Sequence, residues 1–261
     1  MRKYIKYLLL VVFAGIFLFS AYKLWSIFSE YRASENYYSG MQSSFVVEKD
    51  NTQGGTSQQT SGTTELPNTA PVEIDFDALK AVNDDVVGWL YCEDTVINYP
   101  IVQGDDNAYY LHRLLDGSYN SGGTLFLDYR NAGGFLDGNA VVYGHNMKDG
   151  SMFGSFMKYK EESYYDEHPV MYLLTPEADY RIELFSGYVT DYKSEAYTKT
   201  FESDEEIIEF IENSRVDSTF ESDVEPSIDD MFITLSTCSY EFDNARYVLV
   251  GRLVLLERDG E

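Results

Sequence analysis

Short runs of hydrophobic residues, separated by polar breaks rich in Gly, Asn and Asp, occupy most of the chain after residue 85. Runs of this length and spacing are typical of the strands of a β-barrel or sandwich. A turn at residues 175–177 would join two of them as a hairpin, so the sheet is at least partly antiparallel. The eight predicted strands are residues 89–91, 96–102, 124–127, 140–143, 170–174, 180–190, 231–235 and 247–256.

Two stretches have a helical rather than an alternating period. Apolar residues recur at near-helical spacing over residues 74–83, which predicts a short helix packed on the body. Residues 203–214 are amphipathic, with acidic residues at the N-terminal end, which predicts a helix inserted between late strands. The pattern therefore predicts a mainly β domain, with these two helices added, over residues 72–261.

The N-terminal segment, residues 1–28, has a different composition. Arg2, Lys3 and Lys6 precede an apolar run over residues 7–28, which is long enough to cross a bilayer if Lys23 extends to the headgroups. The alternative is a cleaved secretory signal, but aromatic residues stand where a cleavage site needs small ones. We expect one transmembrane helix, with the basic tip in the cytoplasm and the rest of the chain extracellular.

Residues 29–71 are predicted to connect this anchor to the domain. Residues 29–42 are polar and aromatic and suit a juxtamembrane helix. Residues 50–64 contain no apolar residue, and such a composition cannot offset the entropy lost on ordering. This part is predicted to be a flexible linker.

The net charge of −25 excludes some partners. An acidic surface repels phosphate backbones, so nucleic-acid binding is not expected, whereas a cationic or amine-bearing partner is tolerated. Solubility alone is an equally good explanation of the charge. The spacing of Cys and His does not suit a zinc site, and the sequence predicts neither a metal nor another cofactor.

Candidate chemistry begins with the two cysteines. Cys92 lies within a strand-like stretch, whereas Cys238 follows an apolar strand and a Ser-Thr pair, a position suited to exposed chemistry. These contexts argue against a disulfide between them. A free thiol is only slightly ionised at neutral pH, so a nucleophilic Cys238 needs a nearby base or cation.

Histidine supplies the candidate base. His145 follows a predicted strand and a glycine turn, which would expose its imidazole at a sheet edge. His112 and His168 have contexts more typical of structural or surface residues. Arg246 opens the strand after Cys238, and adjacent strands would bring its guanidinium beside the thiol, where it can stabilise an oxyanion. Alternatively, Arg246 pairs with Glu241 or Asp243 on the surface.

The segments around these residues resemble the sortase family. The resemblance rests on Thr234-Leu235-Ser236-Thr237-Cys238, on Tyr143-Gly144-His145 and on an arginine opening the next strand. Residues 88–90 and 97–103 are similar to the family's early strands. Residues 127–131, the inserted helix and the helical N-terminal segment resemble class B, sortase B.

The resemblance implies an eight-stranded barrel and a cysteine transpeptidase that acts without a cofactor. Such an enzyme cleaves a sorting-signal pentapeptide after its Thr, forms a thioester at the cysteine and transfers the acyl group to an amine. The catalytic positions match Cys238, His145 and Arg246. The positions that line the family's peptide groove match Asn107, Leu111, Tyr143, Tyr197 and Ser236.

The implied partners are surface proteins that carry a sorting signal, and the acceptor is an amine of cell-wall peptide or, alternatively, a pilin lysine. Residues 239–245 depart from some class B members, which leaves the sorting motif open. A peptidoglycan-modifying L,D-transpeptidase also uses Cys, His and Arg, but its Ser-His-Gly-Cys stretch is absent. The alternative of another class is a non-catalytic surface binding module.

Overall fold

The computed structural model describes residues 2–49 and 67–258. The chain divides after Gly40 into two units. The whole predicted flexible linker at residues 50–64, together with residues 259–261, lies outside the described residues. The first unit consists of helix α1 (Arg2–Phe45), which continues into the second unit. By length and composition α1 is able to cross a membrane, and its most apolar window has a mean hydropathy of 2.0.

The second unit begins with a small two-stranded sheet. Strand β1 (Val46–Glu48) pairs antiparallel with β2 (Val72–Ile74), and helix α2 (Phe76–Val82) follows. The sequence predicted a helix over residues 74–83, and its start was wrong. Asp75 caps α2, because its side chain accepts a hydrogen bond from the amide of Ala78 at 2.9 Å. Ile74 lies before the cap, in a strand.

Eight further strands close into a barrel, and each of them overlaps one of the eight predicted strands. They occur in the order β3 (Val86–Tyr91), β4 (Asn98–Val102), β5 (Leu125–Leu127), β6 (Asn139–Tyr143), β7 (Val170–Leu174), β8 (Asp179–Asp191), β9 (Met231–Cys238) and β10 (Ala245–Leu255). Neighbours around the barrel follow the order β10-β8-β7-β3-β4-β5-β6-β9, and β9 pairs with β10 to close it. The mainly β prediction and the eight-stranded barrel are confirmed.

The strand pairing mixes two directions. β7 and β8 pair antiparallel, as the turn residues predicted. Two pairs are parallel, β4 with β5 and β6 with β9. The parallel pairing of β6 with β9 brings together the ends of two strands that are about ninety residues apart in the sequence, which matters for the site.

Two further α-helices lie between strands of the barrel. α3 (Glu162–Glu167) precedes β7, and α4 (Asp204–Val216) lies between β8 and β9. The inserted helix predicted at residues 203–214 is therefore confirmed. Ser203 caps α4, and Phe210 on its buried face packs against Phe232 of β9 with ring centroids 5.4 Å apart. This contact fixes the helix to the barrel wall.

Candidate active site

Cys238 is the last residue of β9, and its side chain is partly exposed. Arg246 lies directly opposite it on the antiparallel strand β10. Directly opposed residues of a strand pair project to the same face of the sheet, so the guanidinium and the thiol share one face. Ser236, two residues before Cys238, projects to that face as well, because side chains alternate along a strand.

The parallel strand β6 brings the histidine segment to the same face. Tyr143 pairs with Ser236, the amide of Gly144 donates to the Ser236 carbonyl at 3.1 Å, and the Thr237 hydroxyl donates to the Gly144 carbonyl at 2.7 Å. Beyond His145, the side-chain amide of Asn146 donates to the Cys238 carbonyl at 2.8 Å. Three hydrogen bonds therefore hold the His145 segment against the strand that ends in Cys238.

The His145 ring is half-buried, and a backbone carbonyl holds one of its two nitrogens. Nε2 lies 2.7 Å from the backbone carbonyl of Leu111. A carbonyl only accepts hydrogen bonds, so Nε2 carries a proton, and Nδ1 is the acceptor nitrogen of the neutral ring. Burial lowers the pKa of His145, the hydrogen bond to Leu111 opposes this shift, and the nearby ring of His112 adds to it.

Among the described residues, Arg246 forms no ion pair with the acidic residues of its own loop. Its Nη1 donates to the backbone carbonyls of Asn244 at 3.2 Å and Ala245 at 3.0 Å. Glu241 instead forms an ion pair with Lys160, which lowers the pKa of Glu241 to about 2. The alternative that Arg246 pairs with Glu241 is therefore wrong.

These side chains line one groove with a volume of about 390 Å³. All eight site residues predicted from the sequence contribute to its wall: Asn107, Leu111, Tyr143, His145, Tyr197, Ser236, Cys238 and Arg246. A larger cavity of about 570 Å³ lies between β1, α2 and the β7–β8 turn, and neither a cysteine nor a histidine lines it. Chemistry, not size, therefore identifies the candidate site.

Two tyrosines form part of the groove wall. Tyr143 and Tyr197 stack with ring centroids 6.1 Å apart, and the Tyr197 hydroxyl lies 2.8 Å from Ser236 Oγ. Burial raises the pKa of Tyr197 to about 12, so its hydroxyl keeps its proton at neutral pH. The Tyr143 hydroxyl donates to Asp128 Oδ2 at 3.0 Å, which orients the ring.

Asp128 is a fully buried carboxylate behind this wall. Arg130 donates to both of its oxygens, at 2.9 and 2.7 Å, and Lys199 Nζ lies 3.5 Å from Oδ2. Although burial opposes ionisation, the hydrogen bonds from Arg130 and Tyr143 and the charge of Lys199 hold the pKa of Asp128 well below its usual range. The carboxylate is therefore charged, and it fixes two residues of the groove, Arg130 and Tyr143.

The sequence did not assign several residues of this region to the groove. Phe126, Arg130, Tyr192 and Thr237 also line the groove, and His112 stacks on His145 with ring centroids 5.5 Å apart. The apolar pattern marks Phe126 only as a strand residue. For His112 the available signal was its position beside Leu111, a residue already predicted to line the groove.

The two cysteines have different environments. Both are free thiols, and Cys92 is buried directly after β3, where burial raises its pKa to about 11. Cys238 is the thiol that faces a groove. Over residues 2–49 and 67–258, no group of three or more His, Cys, Asp or Glu side chains is placed to hold a metal ion.

Comparison with known proteins gives a consistent result. The sortase domain family matches residues 90–254. Sortase B of Listeria monocytogenes is 38% identical over 178 residues, which cover 67% of this chain and 72% of that protein. The structure of Bacillus anthracis sortase B in complex with AAEK1 superposes with a TM-score of 0.72 at 33% identity, covering 88% of this chain and 100% of that chain. A Staphylococcus aureus sortase B–substrate complex gives 0.66 at 31% identity, covering 70% and 85%.

Proposed function

The chain belongs to the sortase family of cysteine transpeptidases, and from this membership we propose that Cys238 is its nucleophile, His145 its proton donor and Arg246 its oxyanion stabiliser. The observation that carries this assignment is geometric. A thiol, an imidazole and a guanidinium from three strand ends line one groove, as the proposed chemistry requires.

The proposed reaction begins with proton transfer from the Cys238 thiol to Nδ1 of His145. The Leu111 carbonyl supports this direction, because it keeps the proton on Nε2 and leaves Nδ1 as the acceptor. The thiolate then attacks the carbonyl carbon of the Thr in the sorting signal. As the peptide C–N bond breaks, the imidazolium gives its proton to the leaving amine, and a thioester remains on Cys238.

Arg246 stabilises the oxyanion that forms during this attack. Its cross-strand position opposite Cys238 supports the role, because a substrate carbonyl bound at the sulfur lies within reach of the guanidinium. In the second half-reaction an amine attacks the thioester, the now neutral His145 takes up the proton that the amine loses, and Cys238 leaves as the thiolate. The product is the cleaved surface protein, joined to the acceptor through a new amide bond.

The groove wall is proposed to hold the sorting pentapeptide. Tyr143, Tyr197 and Ser236 form a connected wall beside the thiol. On the other side, Asn107 Oδ1 accepts from the amide of Tyr129 at 3.0 Å, which fixes its side chain, and Leu111 supplies an apolar contact. We assign the peptide-binding role to these five groove residues, Asn107, Leu111, Tyr143, Tyr197 and Ser236.

Helix α1 is proposed to anchor the enzyme in the cell membrane as a single pass, with the barrel outside. Its length and hydropathy support a crossing, and the basic residues before the apolar run support a cytoplasmic N-terminus. This location places the groove where exported proteins carrying a sorting signal, and the amines of cell-wall peptide, are both present. No observation favours a pilin lysine over cell-wall peptide as the acceptor.

The test uses the full chain in detergent micelles and a library of fluorogenic pentapeptides with Thr at the fourth position. The wild-type protein is expected to cleave one group of peptides after Thr and to give a mass corresponding to an acyl group on the tryptic peptide that contains Cys238. Cys238→Ala should abolish both signals. Cys92→Ala is the matched control, since it removes the other thiol, and it should retain both.

Cleavage that persists in Cys238→Ala would refute the assigned nucleophile. Peptide binding without cleavage, equal in wild type and Cys238→Ala, would instead indicate a binding module. The acceptor is identified in the same assay. Triglycine, a cell-wall stem peptide and a lysine-containing pilin peptide are added separately, and the amide product that forms fastest names the acceptor class.

A further inference from the structure

We propose that His112 is a positioning residue that holds the imidazole of His145 and, through its own charge, sets the pH range in which that imidazole keeps a proton. This inference rests on the proposed role of His145 as the proton donor. It concerns a residue whose sequence context indicated only a structural or surface role.

The geometry that carries the proposal is a short 3₁₀ turn, Tyr110–His112, packed against His145. Two consecutive residues of this turn contact the ring. The carbonyl of Leu111 accepts a hydrogen bond from Nε2 at 2.7 Å, and the ring of His112 stacks on the imidazole at 5.5 Å with an interplanar angle of 18°. The turn therefore fixes both the tautomer and the plane of the His145 ring.

The turn is itself anchored at several points. The amide of Asn120 donates to the His112 carbonyl at 3.1 Å, and the amide of Thr124 donates to the Tyr110 carbonyl at 3.1 Å. The His112 ring also lies 6.1 Å from the ring of Tyr119. These bonds fix the backbone from which the exposed His112 ring stacks on His145.

The charged and titratable groups around the pair determine the sign of the effect. Arg113, next in the chain, points away, since Nη1 donates to the Gly117 carbonyl and the guanidinium lies over Tyr109. Cys238, Arg130, Arg246 and three tyrosines, Tyr143, Tyr192 and Tyr197, line the same groove as His145. The phenol ring of Tyr119 lies beside His112. Among the described residues, the ring that stacks on His145 is therefore that of His112, and this ring can itself gain a positive charge.

When both rings carry a proton, two like charges lie 5.5 Å apart, which disfavours protonation of His145. Burial is the main cause of the lowered pKa of His145, and His112 acts in the same direction. Coulomb's law at this distance, with a dielectric constant of about 40 to 80, gives a shift of about 0.5 to 1 pH unit. A His145 that holds its proton less tightly is a better acid toward the leaving amine.

The experiment measures the titration of the three histidines by NMR, with histidine-selective labelling of the full chain in detergent micelles. The same samples give the pH profile of kcat/KM on a peptide that the wild type cleaves. In His112→Phe, which keeps an aromatic ring but no charge, the His145 midpoint should rise by about 0.5 to 1 pH unit. The pH at which kcat/KM changes with the protonation of His145 should shift upward by the same amount. In His112→Lys, which keeps a cation, the midpoint should stay at or below the wild-type value.

His168→Phe is the matched control. His168 packs on Tyr164 at 4.5 Å and lies outside the groove wall, so its substitution should leave the His145 midpoint unchanged. The proposal is overturned if the His145 midpoint in His112→Phe equals that of the wild type, or if His168→Phe moves it equally. If His112→Phe fails to fold by circular dichroism, His112→Gln carries the same test. If the wild type cleaves no peptide, the proposed function fails, whereas the NMR titration still decides the coupling.

Discussion

Replacing Asp128 with asparagine removes a buried negative charge behind the groove while keeping the side chain's shape. In the wild type the two carboxylate oxygens accept from Arg130 at 2.9 and 2.7 Å and from the Tyr143 hydroxyl at 3.0 Å, and Lys199 lies 3.5 Å away. In asparagine an N–H₂ group replaces one of the two carboxylate oxygens, so a donor group then faces another donor. Two cations are then left without their carboxylate.

Removing one partner of a buried ion pair costs about 3–5 kcal/mol. The Arg130 side chain is 53% exposed, so water replaces part of the lost interaction, whereas Lys199 at 12% exposed has little access to water. We therefore expect the lower end, about 3 kcal/mol lost from the free energy of unfolding at pH 7. Because the Tyr143 hydroxyl loses its charged acceptor, kcat/KM on a cleaved peptide should also fall.

The effect depends on pH with a defined sign. The folded-state pKa of Asp128 lies below the unfolded value of about 3.9, so its stabilisation is fully present above pH ~4. It is lost as the pH falls below that value toward the folded pKa. The stability difference between wild type and Asp128→Asn should therefore shrink from pH 7 to pH 3.

The assay is denaturant unfolding of the full chain in detergent micelles, followed through the fluorescence of the buried Trp89, at pH 7, 5 and 3. Asp105→Asn is the control, because Asp105 is exposed and its substitution should change stability by less than about 0.5 kcal/mol. The reasoning is refuted if Asp128→Asn loses less than about 1 kcal/mol at pH 7, or if its loss is the same at pH 7 and pH 3.

Three further outcomes follow from the site. A Cβ on Gly144 would lie 2.5 Å from Leu125 and 2.7 Å from Phe153, and both of these side chains are buried. Gly144→Ala should therefore lower the free energy of unfolding by about 1–3 kcal/mol. Thermal melts that match those of the wild type would contradict this. Arg246→Lys should reduce kcat by about 10²-fold or more with a smaller change in KM, because a single ammonium group does not reproduce the paired N–H donors of the guanidinium. Steady-state kinetics of the two proteins measure both parameters. Iodoacetamide should leave Cys92 unmodified in the native protein, because burial shields the thiol and raises its pKa to about 11. Rapid labelling of Cys92 in the folded protein, detected by mass spectrometry, would disprove this expectation.

The strands were predictable because their apolar runs reflect a local cause, the burial of one or both faces in the barrel. Ile74 shows the limit of this reasoning. It was predicted to belong to a helix together with Phe76, Leu79 and Val82, but it lies in β2, where it pairs with Val46. A pairing across 28 residues of sequence leaves no local period, so the helix start was placed too early.

The site was predictable to a different extent. Cys238, His145 and Arg246 were found because each stands at a strand end, and because the short segments around them resemble one family. The stacking of His112 on His145 was not predictable, since it depends on how a 3₁₀ turn packs beside the parallel pair of β6 and β9. The side-chain contacts of Asp128 behind the groove were not foreseen for the same reason.

The parts of the site differ in how tightly the barrel constrains them. Cys238 and Arg246 belong to one strand register, and the His145 segment is bonded to the same strand through Gly144 and Asn146. Moving any of these requires a change in strand pairing, which a closed barrel resists. Residues of the groove wall such as Asn107 and Tyr197 come instead from turns between strands, which tolerate substitution and insertion. The proposed chemistry is therefore built into the barrel, whereas the choice of sorting peptide is open to change in the turns, so exchanging turn residues should alter peptide preference without abolishing thioester formation.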